Sequence, residues 1–261
     1  MDASLTALCA AGGLFVGDSL EVVVERTGAR APFDHPWWRC PTCDTPAQGL
    51  GLVPLVRSFA RARACPGCHK PVPHAWRPLD LAVVTAVVFG AFAWRFGAQP
   101  ALAAYAVFGA GLVALSAVDL EFMRIPNRIV YPTLFATAAL LAVASAVDDR
   151  WGSLARAAIA GAAGFGGFYL VHFVVPKGMG FGDVRLAGVV GFATGWLGLG
   201  HAFFAFAMAF LLGAFVGIGV MIATGGGRKT KVPFGPFLAV GAALAVLWGG
   251  PLAHAFFHHS A

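Results

Sequence analysis

Charge is what this chain has least of. Asp, Glu, Lys and Arg make up only 11% of its residues, while 59% are hydrophobic and the mean hydropathy is +0.77. A soluble domain averages about 25% charged and about 45–50% apolar. A water-soluble globular domain is therefore excluded, and an integral membrane protein is implied. The N-terminus also lacks a basic stretch ahead of its apolar run, and that run carries Asp18 and Glu21, so no cleavable signal peptide is expected. "TGGGRKTK" (224–231) lacks P-loop spacing and reads as a basic loop. The net charge of +6 would suit nucleic acid, but the basic residues cluster between apolar runs. Membrane topology accounts for them better, and no nucleic-acid partner is expected.

What is present is a series of long apolar runs. A helix crossing the hydrocarbon needs roughly 20 such residues. Spans are expected at about 4–24, 79–97, 101–118, 129–147, 153–175, 184–200, 202–223 and 235–256. The sixth and seventh are divided only by a Gly198–Leu199–Gly200–His201 turn. Of the 18 Lys and Arg residues, all but Arg95, Arg150 and Arg156 fall on one side of this arrangement. The positive-inside rule makes that side cytoplasmic and puts both termini outside. The fold expected is thus an all-α polytopic membrane protein of about eight transmembrane helices, with lipid as its surroundings.

The largest segment outside the spans, roughly 25–78, is rich in Pro, Arg and Cys and has no clear period. A loop this long needs a staple. Cys40-Pro-Thr-Cys43 and Cys65-Pro-Gly-Cys68 form two C-x2-C pairs. Each such turn aims two sulfurs at one ion, so the four thiolates match a tetrahedral, zinc-ribbon-like structural Zn2+ site. In a reducing cytoplasm two structural disulfides are less favoured; four free or redox-active thiols are the alternative. Cys9 reads as a small apolar residue of the first span.

Carboxylates bordering membrane spans are expensive and mark function or a partner. Asp119 follows the third span and Asp183 opens the sixth, so topology places both at the cytoplasmic boundary, at one depth. Two adjacent carboxylates can share a proton, one activating water and the other polarising a scissile carbonyl. The bland alternative pairs Asp119 with Arg124 and Asp183 with Arg185. Around Asp183, Gly178, Gly180 and Gly182 leave backbone that another chain can approach closely. Asp18, Glu21 and Glu25 share one helical face; they either pair with loop arginines or receive a basic segment of substrate. His172 reads as a hydrogen-bonding residue within the bundle. His254, His258 and His259 lie on the wrong side for the aspartates.

Gly180-Phe181-Gly182-Asp183 resembles the G-x-G-D signature of intramembrane aspartyl proteases. Asp119, with Ile125-Pro126-Asn127 beyond it, resembles the companion motif of the type IV prepilin peptidases. "GMGFGDVRLAG" (178–188), "VPFGPFLAVGA" (232–242) and the cysteine loop ahead of Pro78-Leu79-Asp80 look like that family too. The resemblance spans nearly the whole chain. It implies an aspartic endopeptidase of the bacterial cytoplasmic (inner) membrane that acts at the cytoplasmic face. Its substrates would be prepilin or pseudopilin precursors, from which it removes a short basic leader. Asp119 and Asp183 would be the catalytic pair, and Gly180 and Gly182 would lie against substrate. It further implies N-methylation of the new N-terminus with S-adenosylmethionine. Residues 1–78 would be the methylation-associated region and 79–261 the peptidase.

The departures fall in the first region. The family's G-S-F-L-N-V-V-I-x-R-L-P helix here reads Gly17 to Gly28, with Glu21 for the asparagine and Thr27-Gly28 for the closing Leu-Pro. The usual D-L-I-P reads Gly51-Leu52-Val53-Pro54, and Asp80 stands where a glutamate is usual. A peptidase without the methylating activity is therefore the alternative reading. A proton-coupled transporter using the two aspartates is more remote, since no inverted repeat is found. A non-catalytic assembly factor for pili or secretion is a third. "GDSL" at 17–20 spells a lipase signature, but it lies in a membrane span without the soluble scaffold that chemistry needs. For the cysteine loop, metal analysis should find bound zinc in the wild type that is lost from a Cys40→Ser, Cys65→Ser variant; equal metal content would reject the site.

Overall fold

The computed structural model describes residues 3–28, 43, 45, 67–68, 77–175, 179–224 and 233–257. Among these residues there are eight helices and no strand. They are α1 (Ala3–Gly28), α2 (Arg77–Phe96), α3 (Ala101–Phe122), α4 (Asn127–Val147), α5 (Trp151–Val174), α6 (Phe181–Leu197), α7 (Leu199–Thr224) and α8 (Gly235–Phe257). Each expected span corresponds to one helix. Four boundaries follow from backbone chemistry. Gly97 takes φ +58° and ends α2. Pro100 precedes α3. Met123, left-handed at φ 50°, closes α3 and donates its N–H to the Asp119 carbonyl at 2.9 Å. Pro126, in extended backbone, starts α4.

Five of the helices, α1, α3, α4, α5 and α7, are long and apolar enough to cross a membrane by themselves. The apolar parts of α2 and α8 are shorter, Leu81–Phe96 and Gly235–Gly250. Helix α6 has 17 residues, about 25 Å at the helical rise and short of the roughly 30 Å of hydrocarbon. Its environment explains the length. Leu186, Ala187, Val189, Val190, Ala193 and Trp196 are all buried, so α6 packs against protein on most sides. Helix α7 is the reverse: Phe203, Phe215 and Ile222 are among its largely exposed side chains, as a lipid-facing helix requires.

Helix α3 packs on α1, α2, α4 and α8; α6 packs on α4, α5, α7 and α8. The end of α3 and the start of α6 lie at the same end of the bundle, which brings Asp119 and Asp183 together. Lipid provides little hydrophobic force between helices, so close contact comes from small residues. At the α5–α6 contact a Cβ on Gly164 would lie 2.8 Å from the Ala187 carbonyl oxygen, and one on Gly191 would strike the Ala160 carbonyl. Gly13 and Gly17 seat α1 on Ala82 and Ala86 of α2 in the same way. At the opposite end from the aspartates, the buried Tyr105 hydroxyl of α3 donates to the Ala193 carbonyl of α6 at 2.8 Å. Trp196 Nε1 donates to Ser145 Oγ of α4 at 2.8 Å, and the Arg150 guanidinium lies 4.3 Å from the Trp196 ring centroid. These contacts tie the far end of α6 to α3, to α4 and to the residue before α5.

Gly191→Ala should lower the thermal midpoint of the purified protein in detergent, by the ~1–3 kcal/mol typical of overpacking. Gly166→Ala, on the same α5 where nothing lies within 4 Å of the added carbon, should leave it unchanged or raise it. Equal effects would remove the close-contact account.

Candidate active site

Asp119 lies in the last turn of α3 and Asp183 in the first turn of α6. Both are buried, at 5% and 9% exposure, and both line a cavity of about 660 Å³. Their anchoring is similar. The first N–H groups of a helix have no acceptor within it. Asp183 Oδ2 accepts such a group from Gly180, the N-cap of its own helix, at 3.1 Å. Asp119 Oδ2 accepts the N–H of Gly235, the first residue of α8, at 2.9 Å. Each carboxylate thus sits on the partial positive charge of a helix N-terminus. Asp183 Oδ1 is buried and has no hydrogen-bond partner.

Glycine is required at 235 for a specific reason: a Cβ there would lie 2.7 Å from Asp119 Oδ2. Gly182 is different from the reading based on substrate approach. Its missing Cβ is filled by the protein itself, since a methyl would lie 2.7 Å from Ile125 Cβ. The Ile125-Pro126-Asn127 linker therefore crosses directly over the start of α6. Gly180 is the open one: it is exposed, and a Cβ there would meet only Asp183 Oδ2 at 3.2 Å and Gly182 N at 3.9 Å.

Neither arginine pairing is formed. The Arg185 guanidinium lies 4.4 Å from the Phe181 ring centroid and donates to Asn127 Oδ1. It ties the start of α4 to the start of α6 and leaves Asp183 alone. Arg124 lines the cavity without an ion pair to Asp119. His172 Nδ1 donates to the Met179 carbonyl at 2.8 Å, fastening the end of α5 to the segment that leads into Gly180.

Asp18 and Glu21 are buried, at 5% and 6% exposure, and both already interact within the protein. They do not form an open face for a basic substrate. Cys40, Cys65, Gly178, the 225–232 loop, His258 and His259 lie outside the described residues, as do the side chains of Glu25, Asp80 and His254. Cys43 Sγ lies 3.1 Å from Thr45 Oγ1, and the Thr45 side chain sits against Gly67, next to Cys68. Cys43 and Thr45 therefore lie close to Gly67. Among the described residues no three metal-binding side chains cluster.

Two cavity features were not foreseen from sequence. Gly235 lay inside the segment 232–242 already singled out, but its bond to Asp119 joins residues 116 positions apart. Thr27, at the end of α1, also lines the cavity.

A model of the type IV leader peptidase family matches residues 106–218, which include both aspartates, and one of the bacterial peptidase A24 N-terminal domain matches residues 12–96. A Bacillus subtilis prepilin leader peptidase/N-methyltransferase is 32% identical over 80% of this chain and 81% of its own. A Burkholderia pseudomallei protein of the same name is 31% identical over 92% of this chain and 84% of its own. The chain belongs to the type IV leader peptidase family. A Stutzerimonas stutzeri relative, also a prepilin leader peptidase/N-methyltransferase, is 28% identical over 88% of this chain and 78% of its own. No solved structure matches.

Proposed function

We propose that this protein is an aspartic endopeptidase that removes the leader of prepilin or pseudopilin precursors at the cytoplasmic face of the bacterial inner membrane, with Asp119 and Asp183 as its catalytic pair. The observation that carries this reading is one cavity with two buried carboxylates, each anchored through one oxygen to a peptide N–H and neither paired with arginine. A carboxylate fixed by a cation would be a poor base. One fixed by an N–H keeps its other oxygen for water or substrate.

The chemistry follows from that arrangement. One carboxylate takes a proton from water as the water oxygen attacks the scissile carbonyl carbon. The other, protonated, gives its proton to the carbonyl oxygen. Collapse of the tetrahedral intermediate breaks the C–N bond: the nitrogen leaves with a proton from the first acid, and one hydroxyl proton returns to the second carboxylate. The two act as a unit, so neither is assigned alone as base. Gly180, open to the cavity, would flank the extended substrate strand; Gly182, whose side-chain position Ile125 fills, would meet it only through its backbone.

The names of the relatives carry a second activity, N-methyl transfer, which would use S-adenosylmethionine as methyl donor. The groove between α5 and α7, about 430 Å³, does not fit that molecule. It is lined by residues such as Gly164, Phe168, Val171 and Phe206 and has no charged or hydrogen-bonding side chain for the donor's carboxylate, ammonium or ribose groups. We assign peptide hydrolysis to 79–261 and associate methylation with 1–78. Cys40, Cys43, Cys65 and Cys68 would hold a structural Zn2+ in that region; the contact of Thr45 with Gly67 fits two turns facing one ion.

Purified protein should remove the leader from a pilin precursor, and Asp119→Asn and Asp183→Asn should each abolish cleavage. Product from either variant would overturn the dyad. In the same assay Gly235→Ala should reduce kcat tenfold or more, about 1.4 kcal/mol in the barrier, because the added methyl displaces Asp119. Undiminished turnover would mean that this anchor is dispensable.

A further inference from the structure

We infer that Thr27 is a specificity residue whose hydroxyl hydrogen-bonds a peptide amide of the precursor strand in the catalytic cavity. The inference rests on the peptidase reading above and adds to it a residue from outside the region that holds the aspartates.

Hydroxyls in helices commonly bond to the carbonyl four residues back. Here Ser19 bonds to the Phe15 carbonyl at 3.0 Å, Thr85 to Leu81 at 2.7 Å and Thr194 to Val190 at 2.6 Å. Thr27 does not. Its Oγ1 is buried and has no hydrogen-bond partner, although the Val23 carbonyl lies four residues back in the same helix. A buried hydroxyl left without a partner costs about 1–3 kcal/mol. Thr137 also has an unpartnered hydroxyl, but it does not line the catalytic cavity. Thr27 does, with Asp119 and Asp183 on the same walls, and among the described side chains of α1 it alone reaches the cavity.

A threonine adds one donor and one acceptor to the wall. An extended peptide presents both partner types along its backbone. The arrangement favours precursors whose backbone lies against the end of α1, and it accounts for a hydroxyl kept unsatisfied in the resting enzyme.

The test uses the full chain carrying Asp119→Asn, so that affinity is read without turnover. The probe is a dye-labelled synthetic peptide with a basic leader, a glycine and the apolar residues that follow. Thr27→Val and Thr27→Leu should weaken binding about threefold to tenfold, the value of one hydrogen bond, and Thr27→Ser should restore it. The thermal midpoint of Thr27→Val should be equal to or above that of the parent, because the variant removes an unsatisfied group. Equal affinity for Val and Thr, failure of Ser to rescue, or a lower midpoint for Val would each overturn the inference. Cleavage by protein with both aspartates intact judges the peptidase reading separately. Binding without cleavage would sink that reading while the affinity series still decides Thr27, and absence of binding would sink both.

Discussion

The molecule depends on two peptide N–H groups. Aspartates at the edge of a hydrocarbon layer need stabilisation, and the ordinary source is an arginine or lysine. A cation would hold the carboxylate in an ion pair and occupy the oxygen that chemistry needs. A helix N-terminus supplies a donor and a partial positive charge without a whole cation. Two such ends, of α6 and of α8, meet the two aspartates. Much of the surrounding architecture serves that meeting. Residue 235 has no side chain, the Ile125 linker lies directly over Gly182, and Arg185 is drawn off to Asn127 and Phe181.

Holding two helix ends in register demands a rigid bundle, and in lipid rigidity comes from fit. Glycine and alanine faces let α5 meet α6, and α1 meet α2, at backbone distance. The Tyr105–Ala193 and Trp196–Ser145 hydrogen bonds lock the far end of α6 to α3 and α4. Helix α6 is short because protein, more than lipid, surrounds it. The lipid-facing demand is met instead by helices such as α7, with exposed phenylalanine and isoleucine.

Much of this was legible in the sequence. Apolar runs gave eight helices, with ends within about four residues of those formed, since hydropathy reports the solvent each segment meets. Counting lysine and arginine by loop put Asp119 and Asp183 at one depth before any geometry was known. What stayed hidden was contact between distant segments. The partner of Asp119 lies 116 residues away on a glycine with no side chain to signal it. The Asp183–Arg185 pairing suggested by proximity in sequence gave way to a cation–aromatic contact one turn back along the helix. For Asp18 and Glu21 the sequence left two roles open, pairing within the protein or receiving a basic segment; their burial decides between them, and no local pattern records it.

The bond from Gly235 to Asp119 also orders events in time. Helix α3 is made and inserted well before α8, and until α8 arrives Asp119 has no N-terminal N–H to hold it. If Asp119 and Asp183 are the catalytic pair proposed above, that pair would be fully anchored only once the last helix is in place.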